Sequence, residues 1–509
     1  MMKPMASRTE QLATLRSGRI WDVLIIGGGA SGLGAAVDAA ARGFSTLLLE
    51  RGDFACGTSS RSTKLIHGGV RYLRQGDLAL VRHALIERRR LLDNAGHLVH
   101  ALPFIIPARS GFERLYYAAG LKLYDLLAGS SNLSPSRLLD RPQTLNALPG
   151  LNPLGLSGGV QYWDGQFDDA RLAIALMRTA GDLGATCLNY LPVTGLLKTQ
   201  GKVGGALAED AETGESFELQ ARVVINATGV YADAVRRFDA PDAQSVLTPS
   251  QGIHLVLDAD FLPGETALLI PKTEDGRVMF AIPWQGKVLL GTTDTERHDL
   301  PAEPQPFPEE VDFLLRTAAG FLRRAPQRSD IRSAFAGLRP LLHPEHDGKG
   351  GTAALSREHA VMVSAGGLVT VAGGKWTTYR LMAEQVIDRA AEVAGLESVP
   401  CPTANLKLHG WNGSDARLLA EMPGNEFKLH PALDLTEAMV RFACRHEAAR
   451  SIEDIMARRS RALFLDARAA EACISRVGEL VAEELCLTAE KVGQMVEIAK
   501  QSARQFQLG

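Results

Sequence analysis

The chain has 509 residues, of which 46% are hydrophobic and 22% charged, and a formal net charge of −3. This length exceeds what one hydrophobic core supports, and this composition excludes a disordered or fibrous protein, so we expect two to four globular domains. The six cysteines include no C-x-x-C pair, so the sequence does not predict a metal knuckle. No run of 18 apolar residues occurs, so it does not predict a membrane span. Residues 1–20 lack the apolar core of a secretory signal and are expected to form a loose leader.

Residues 21–50 combine a strand, a glycine turn, a helix, a second strand and an acid, in that order. The turn has the pattern G-x-G-x-x-G at Gly27, Gly29 and Gly32, which allows a pyrophosphate to approach the backbone and a helix N-terminus. Glu50 ends the second strand, where a carboxylate can accept both hydroxyls of an adenosine ribose. The stretch predicts dinucleotide binding, and the acid favours FAD or NAD over NADP.

The loop 51–73 is rich in Gly, Ser and Thr, which suits it to lining a cofactor. Residues 61–124 carry 11 Lys/Arg against 4 Asp/Glu. This local excess indicates either solvated helix faces or a site for anions, such as a phosphorylated substrate or an anionic lipid surface.

A strongly amphipathic helix is predicted over residues 112–127. Its apolar stripe consists of six residues, Phe112, Leu115, Tyr116, Ala119, Leu123 and Leu126. Periodicity alone favours a face turned to the core, and the alternative is a helix lying on a bilayer.

The remaining segments alternate between strand and helix patterns. Residues 187–220 indicate a meander, 221–233 a second buried strand with a tight turn, and 246–295 an antiparallel sheet. Residues 373–380 indicate a glycine turn that leads into a helix, and the pattern from about 430 to 505 is helical.

Together these motifs resemble the FAD-dependent, quinone-linked respiratory glycerol-3-phosphate dehydrogenases. The resemblance is carried by segments 26–32, 58–73, 167–172, 226–229, 291–294, 337–341, 373–380 and 449–459. It implies an α/β fold with a glutathione-reductase-like FAD-binding Rossmann domain, a mixed or antiparallel-sheet substrate domain and an α-helical C-terminal domain.

The resemblance also implies domain limits and a cellular setting. The FAD-binding domain would comprise 20–75, 155–240 and 335–395, the membrane-facing cap domain 76–154 and 241–334, and the helical domain 400–509. We expect a homodimer bound peripherally to the cytoplasmic face of the inner membrane, as a monotopic protein without a signal peptide or transmembrane helix. This expectation makes the bilayer interpretation of helix 112–127 as strong as the core interpretation.

The implied reaction oxidises the C2 alcohol of sn-glycerol 3-phosphate to dihydroxyacetone phosphate, with hydride transfer to flavin N5 and electrons passed to ubiquinone or menaquinone. Arg71, Arg339 and Lys375 would hold the phosphate, with Tyr72 beside the substrate. His254 is the best candidate to accept the hydroxyl proton, and Arg339 and Lys375 would also act in catalysis. The competing interpretation makes these cations members of surface ion pairs.

The resemblance implies a set of FAD contacts along the whole sequence, and no metal site. These residues are Gly27, Gly29, Ser31, Gly32, Glu50, Thr58, Ser59, Ser62, Lys64, Leu65, His67, Thr228, Gly229, Gly374, Lys375 and Thr377.

Two other hypotheses remain open at this stage. An FAD-dependent amine or amino-acid oxidase of the same fold would bind a carboxylate and use an aromatic cage. A flavin-dependent RNA-binding or RNA-modifying protein would use the basic stretch to contact nucleic acid, whereas the leading hypothesis has no nucleic-acid partner.

Overall fold

The computed structural model describes residues 6–73, 77–343 and 359–508. Its helices are α1 (Arg8–Arg16), α2 (Ala30–Ala41), α3 (Val70–Leu73), α4 (Leu78–Asn94), α5 (Gly111–Ala128), α6 (Arg141–Ala147), α7 (Asp169–Asp182), α8 (Ala232–Asp239), α9 (Pro308–Ala319), α10 (Tyr379–Ala394), α11 (Ser414–Glu421), α12 (Glu437–His446), α13 (Ala462–Leu465), α14 (Ala467–Leu485) and α15 (Ala489–Gln505). Its strands are β1 (Trp21–Ile26), β2 (Thr46–Leu49), β3 (Leu65–Ile66), β4 (Val99–Ala108), β5 (Arg137–Asp140), β6 (Gly158–Phe167), β7 (Thr186–Leu188), β8 (Val193–Thr199), β9 (Lys202–Glu209), β10 (Ser216–Asn226), β11 (Leu247–Asp258), β12 (Ala267–Ile270), β13 (Met279–Trp284), β14 (Lys287–Gly291), β15 (Thr295–Glu296), β16 (Ser333–Leu342), β17 (His359–Val363) and β18 (Val369–Gly373).

The first sheet has the strand order β17-β18-β10-β1-β2-β7, with the pair β8–β9 attached to β10. Strands β18, β10, β1, β2 and β7 are parallel to their neighbours in this series. Residues 23–25 of β1 are fully buried, as a strand covered by helices on both faces requires. The glycine turn after β1 therefore lies at the carboxyl edge of the parallel strands, where open α/β sheets bind their ligands.

The second sheet is mixed and has the order β15-β11-β14-β13-β12-β4-β6-β3, with β16 on β11 and β5 on β6. Most pairs are antiparallel, and β12 is parallel to β4. Strands β6 and β16 belong to this second sheet, although we expected their residues in the FAD-binding segments that begin at 155 and 335. Their apolar side chains pack in the buried clusters of this sheet.

Helices α11–α15 and a π-helical segment, Asp454–Arg459, form the C-terminal helical part of the fold. This part is fastened to the loop after β2, because Asp53 accepts hydrogen bonds from Arg458 at 2.5 Å and from Arg459 at 2.7 and 2.9 Å. Burial opposes ionisation of Asp53, but Arg459 and Arg458 outweigh it and lower the pKa of this carboxyl to about 2. Arg461 extends the attachment by donating to the Ser60 carbonyl at 2.8 Å.

The expectation of a loose leader over residues 1–20 is wrong for the described part of that stretch. Helix α1 begins at a capping box formed by Ser7 and Glu10. Its Leu12 and Leu15 are buried in a cluster with Trp21, and Arg8 donates to Asp210 at 2.7 Å. The apolar part of this docking rests on two residues at i and i+3, a signal too brief to separate from a polar leader by pattern alone.

The core interpretation of the amphipathic stripe on α5 is also wrong. All six stripe residues are at least partly exposed, with Phe112 at 80% and Leu126 at 75% of their full accessibility. The buried face of α5 is the opposite one, which carries Leu121, Tyr124 and Ala128. Periodicity identifies an apolar face but not what covers it. None of the helices among the described residues combines the length and the apolar composition that a membrane span requires.

Candidate active site

A cleft of about 480 Å³ runs between the carboxyl edge of the first sheet and the second sheet. Its lining comes from 26–31, 49–51, 55–67, 227–235, 254, 337–341 and 371–377. These segments contain nearly all the residues that the sequence predicted for a dinucleotide and its reaction partner.

The glycine turn leaves no space for side chains. Gly27 has φ +110°, and a Cβ there would lie 2.6 Å from the Ala227 carbonyl oxygen. A Cβ on Gly32 would lie only 1.9 Å from the Gly27 carbonyl oxygen. Helix α2 begins at Ala30 after the N-cap residue Gly29, which has no side chain of its own to cap the helix, and Gly29 and Ser31 line the cleft. The turn therefore presents backbone and the start of a helix, the arrangement that binds a pyrophosphate.

Glu50 holds this end of the cleft together. It is buried, and its two carboxylate oxygens accept hydrogen bonds from Gly28 N at 2.6 Å and Gly52 N at 2.9 Å. Burial is the main cause that raises the pKa of Glu50. Its neighbours Arg51 and Tyr231 also line the cleft, with the guanidinium 3.8 Å from the ring centre, and neither was predicted from the sequence. The only signal for Arg51 was its place directly after the acid.

The loop 58–67 crosses the middle of the cleft and is tied down on several sides. Thr58 donates to the Leu338 carbonyl at 2.5 Å, and Ser59 accepts from Ala30 N at 2.9 Å. The His67 backbone N–H donates to the Thr377 hydroxyl at 3.2 Å. Thr58, Ser59, Ser62, Leu65 and His67 all line the cleft.

Lys64 differs from the rest of this loop, because its side chain does not line the cleft. The ammonium is fully buried and bonds to Asp169 Oδ2 at 2.7 Å and the Ser60 carbonyl at 2.8 Å. Burial alone would raise the pKa of Asp169, but Lys64 and Arg461 (3.3 Å) hold it below its usual value. The Lys64 side chain therefore forms a supporting ion pair, and the expected contact of Lys64 with the flavin stays a prediction. Asp169 was missed as its partner, although it lies in one of the motifs, 167–172.

His254 lies in the middle of β11 and lines the cleft at its other end. The ring stacks on Phe335 with centroids 5.0 Å apart, and Nε2 lies 2.9 Å from the Thr63 hydroxyl. Nδ1 is buried and has no hydrogen-bond partner within residues 6–73, 77–343 and 359–508. Burial, then the nearby cations Lys64 and Arg339, lower the pKa of His254 well below its usual value, so the imidazole is neutral at neutral pH. Thr63 was not predicted and orients this ring.

Arg339 lines the same end of the cleft from β16, the strand that pairs with β11. Its guanidinium donates to the Thr292 hydroxyl at 2.9 Å and to the Gln251 carbonyl at 3.3 Å, and lies 3.4 Å from Asp294. A Cβ on Gly252 would lie 2.1 Å from Arg339 Nη2, so the cation rests directly on this glycine. The side chain remains about one-fifth exposed, which leaves it accessible from the cleft.

The turn before α10 forms the opposite wall. Gly374, Lys375 and Thr377 line the cleft, and Gly374 adopts φ +86° with no room for a Cβ beside Met382. Thr228 and Gly229 line it from the turn after β10. Arg71 and Tyr72 belong to α3, and their side chains lie outside the described residues, so their predicted contacts stay predictions.

The excess of cations in residues 61–124 is partly neutralised inside the protein. Arg61 pairs with Glu303 at 2.6 Å, Lys64 with Asp169 at 2.7 Å, and Arg88 with Asp164 at 2.7 Å. Each of these three cations is buried. The stretch is therefore not one continuous anion-binding surface.

The cleft fits FAD in its chemistry. One end offers a glycine turn, a helix start and a ribose-type carboxylate, and the other offers a buried neutral histidine with an unpartnered nitrogen among the described residues and a partly exposed arginine. A dinucleotide joins a pyrophosphate and ribose to a redox-active ring, which suits these two ends.

Fold and cleft together define an FAD-dependent oxidoreductase, and the family of that description matches residues 22–380. Residues 370–492 match the C-terminal domain of alpha-glycerophosphate oxidase. The chain belongs to the FAD-dependent glycerol-3-phosphate dehydrogenase family.

Relatives and solved structures agree with this membership. The mitochondrial glycerol-3-phosphate dehydrogenase of Macaca fascicularis is 38% identical, over 97% of this chain and 74% of its own. That of Saccharomyces cerevisiae is 42% identical, over 82% of this chain and 71% of its own. The crystal structure of the Bacillus halodurans glycerol-3-phosphate dehydrogenase complexed with FAD superposes with a TM-score of 0.78 at 29% identity, covering 98% of this chain and 97% of that one.

Proposed function

We propose that the protein oxidises sn-glycerol 3-phosphate at C2 to dihydroxyacetone phosphate, with FAD as the hydride acceptor, and passes the electrons to a membrane quinone. The observation that carries the proposal is the grouping of His254, Arg339 and Lys375 in the lining of one cleft, opposite the glycine turn. The names of the relatives support the substrate. Family membership favours this hypothesis over the amine oxidase and the RNA-binding protein.

The chain has two tasks in this reaction, while bound FAD supplies the hydride acceptor at N5. His254 takes the proton from the C2 hydroxyl, for which its lowered pKa keeps the ring neutral and able to accept. The Thr63 hydroxyl fixes the ring through Nε2. Arg339 stabilises the alkoxide character that develops on the oxygen as the proton leaves.

The substrate phosphate is bound by cations at the same end of the cleft. Arg339 offers a planar guanidinium, and Lys375 and Arg71 supply further positive charge, with Tyr72 beside the carbon chain. A dianion needs several fixed cations because the desolvation of its charge in a cleft exceeds what a single pair returns. An amine or amino-acid substrate would not need three.

For the cofactor, we assign the pyrophosphate to Gly27, Gly29 and Ser31, with Gly32 packing the helix close, and the adenosine ribose to Glu50. The loop 58–67 and the turn 228–229 would lie along the flavin and its ribityl chain. Gly374, Lys375 and Thr377 would approach the pyrimidine end of the ring, where their N–H groups and the α10 N-terminus favour the negative charge of the reduced form.

The exposed face of α5 is the proposed membrane-binding surface. Five large apolar side chains stand in the open on this face, Phe112, Leu115, Tyr116, Leu123 and Leu126. Exposed cations lie on the helix and on the segments beside it, at Arg109, Lys122, Arg137 and Arg141. An apolar stripe flanked by cations fits an anionic lipid surface. We propose peripheral binding to the cytoplasmic face of the inner membrane, where quinone is dissolved, and keep the homodimer as a prediction.

Anaerobic reduction of the flavin tests the proposed activity. The purified protein should show a flavin absorption band that glycerol 3-phosphate bleaches, while glycine, other amino acids and glycerol leave it oxidised. A soluble ubiquinone or menaquinone analogue should then restore the band faster than dioxygen does. A flavin that stays oxidised with glycerol 3-phosphate contradicts the proposed substrate, and reoxidation by dioxygen alone contradicts the proposed acceptor.

Flotation with vesicles tests the membrane surface. We expect the protein to float with vesicles that contain anionic lipid, and the double substitution Leu115→Asp and Leu126→Asp to abolish flotation with the flavin content unchanged. Removal of two exposed apolar groups and addition of two negative charges both oppose binding. Ile498→Asp on α15, where Ile498 is 63% exposed, is the matched control and should still float. Equal flotation of the double variant places the binding surface elsewhere.

A further inference from the structure

The inner face of helix α5 makes a polar contact with the segment 65–73. Tyr124 is fully buried, and its hydroxyl accepts a hydrogen bond from the Gly68 backbone N–H at 2.8 Å. The same hydroxyl donates to Asp164 Oδ1 at 2.8 Å. Thus the Tyr124 side chain joins a helix whose outer face is apolar and exposed to the segment that follows the cleft-lining residue His67.

A buried arginine holds Asp164 in place in this contact. Arg88 on α4 donates to Asp164 Oδ1 at 2.7 Å and to the Ser131 carbonyl, just beyond α5, at 3.1 Å. Burial is the main cause that raises the pKa of Tyr124 well above its usual value, so the hydroxyl keeps its proton for Asp164. Buried networks with satisfied partners define one geometry, since an unpaired group there is costly.

Gly68 is in close contact with both α5 and α4. A Cβ on Gly68 would lie 2.5 Å from the Tyr124 hydroxyl oxygen and 2.6 Å from Leu85 Cδ2. Its neighbour His67 lines the cleft and bonds to Thr377. On the other side, Val70 and Leu73 of α3 pack against the apolar cluster that contains Tyr124.

We propose that Tyr124 is a positioning residue that couples α5 to the segment 65–73, so that binding of α5 to an anionic lipid surface orders this segment and lowers the KM for the substrate. The coupling rests on the proposed function for its kinetic consequence. A lipid surface that binds the outer face of α5 favours the arrangement in which the inner face holds Gly68, and a ligand shifts an equilibrium by its differential affinity for the two arrangements.

Hydrogen–deuterium exchange of the holoprotein tests the coupling without reference to substrate. The probe is vesicles of phosphatidylcholine with phosphatidylglycerol. In the wild type, vesicles should slow exchange in both 111–128 and 65–73. In Tyr124→Phe, which keeps the ring and lacks the hydroxyl, vesicles should slow exchange in 111–128 only.

Tyr162→Phe is the matched control, because Tyr162 is a buried tyrosine that packs edge-to-face on Tyr124 at 6.2 Å and is not the partner of Gly68. It should respond to vesicles like the wild type. If vesicles slow exchange in 111–128 of the wild type and leave 65–73 unchanged, or if Tyr124→Phe responds like Tyr162→Phe, the coupling is overturned. Absence of any vesicle effect on 111–128 overturns it as well.

Kinetics with glycerol 3-phosphate separate the coupling from the proposed activity. Vesicles should lower the KM of the wild type by about fivefold, the effect of one buried hydrogen bond, with little change in kcat, and should leave the KM of Tyr124→Phe unchanged. If vesicles change the kcat of the wild type instead of its KM, and Tyr124→Phe loses that change in kcat, the result contradicts a role of Tyr124 in positioning the segment 65–73. If exchange shows the coupling and substrate fails to reduce the flavin, the proposed function is wrong and the coupling stands.

Discussion

The two ends of the cleft are built in opposite ways. The dinucleotide end comes mainly from one continuous stretch, 26–52, and acts through backbone groups and missing side chains, with Glu50 holding two backbone N–H groups. The other end joins Thr63, His254, Arg339 and Lys375 from four separate segments, and acts through side chains whose charge is set by their neighbours.

This difference determines how each end responds to change. At Gly27 and Gly32 the backbone itself is the binding group, and an added Cβ would collide with a backbone carbonyl oxygen, so substitution there removes the site. Where side chains bind, loss of one group leaves the others in place and lowers affinity or rate by a definite factor. The dinucleotide end therefore determines whether the protein retains FAD, and the other end determines its affinity for the substrate and its rate.

The largest effect is expected for Gly32→Ala. The new Cβ would lie 1.9 Å from the Gly27 carbonyl oxygen, so the turn and α2 must separate. We expect loss of FAD, measured as the ratio of flavin to protein absorbance, together with a lower Tm. Gly181→Ala on α7, where a Cβ meets nothing within 4 Å, is the control and should retain both. A full flavin content in Gly32→Ala contradicts the tight turn.

A smaller, graded effect is expected for Arg339→Leu at the other end. Loss of one charged hydrogen-bonding partner of the phosphate should raise the KM for glycerol 3-phosphate roughly 10- to 100-fold. The flavin content should stay at the wild-type level, because the dinucleotide end is untouched. Arg328→Leu, which removes an exposed arginine paired with Asp312 at 2.7 Å, is the control. An unchanged rate at low substrate concentration removes Arg339 from the site.

The same contrast explains what could be predicted from the sequence. The glycine turn and Glu50 were predictable because the whole unit is local, and each part demands the next. His254 and Arg339 were identified through the family resemblance, since no spacing in the sequence brings β11 beside β16. The support of His254 by Thr63, and the pairing of Lys64 with Asp169, could not be predicted, because they depend on how the loop 58–67 folds in three dimensions.

Helix α5 shows a second limit of sequence patterns. The stripe was identified residue by residue, yet the side covered by protein is the one that carries Tyr124. The spacing of apolar residues gives the direction of the apolar face but not the surroundings it meets, since core and lipid are equally apolar. The structure was needed to show that the stripe is exposed, and the flotation experiment is needed to test whether lipid covers it.

The smallest effect is expected in the pH dependence of the reaction, which is set at the end of the cleft that contains His254. Burial, Lys64 and Arg339 lower the pKa of His254 well below 6.5, so the neutral, proton-accepting ring persists as the pH falls through 6.5. The rate of flavin reduction at saturating substrate should therefore stay constant through this pH and decline only at more acidic pH. In Arg339→Leu one of the three causes is gone, so the decline should move to higher pH while staying below 6.5, because burial, the largest cause, is retained. A wild-type decline centred at or above 6.5 contradicts the lowered pKa of His254. An identical decline in both proteins leaves Arg339 without influence on the ring, and this cation would then act on the substrate alone.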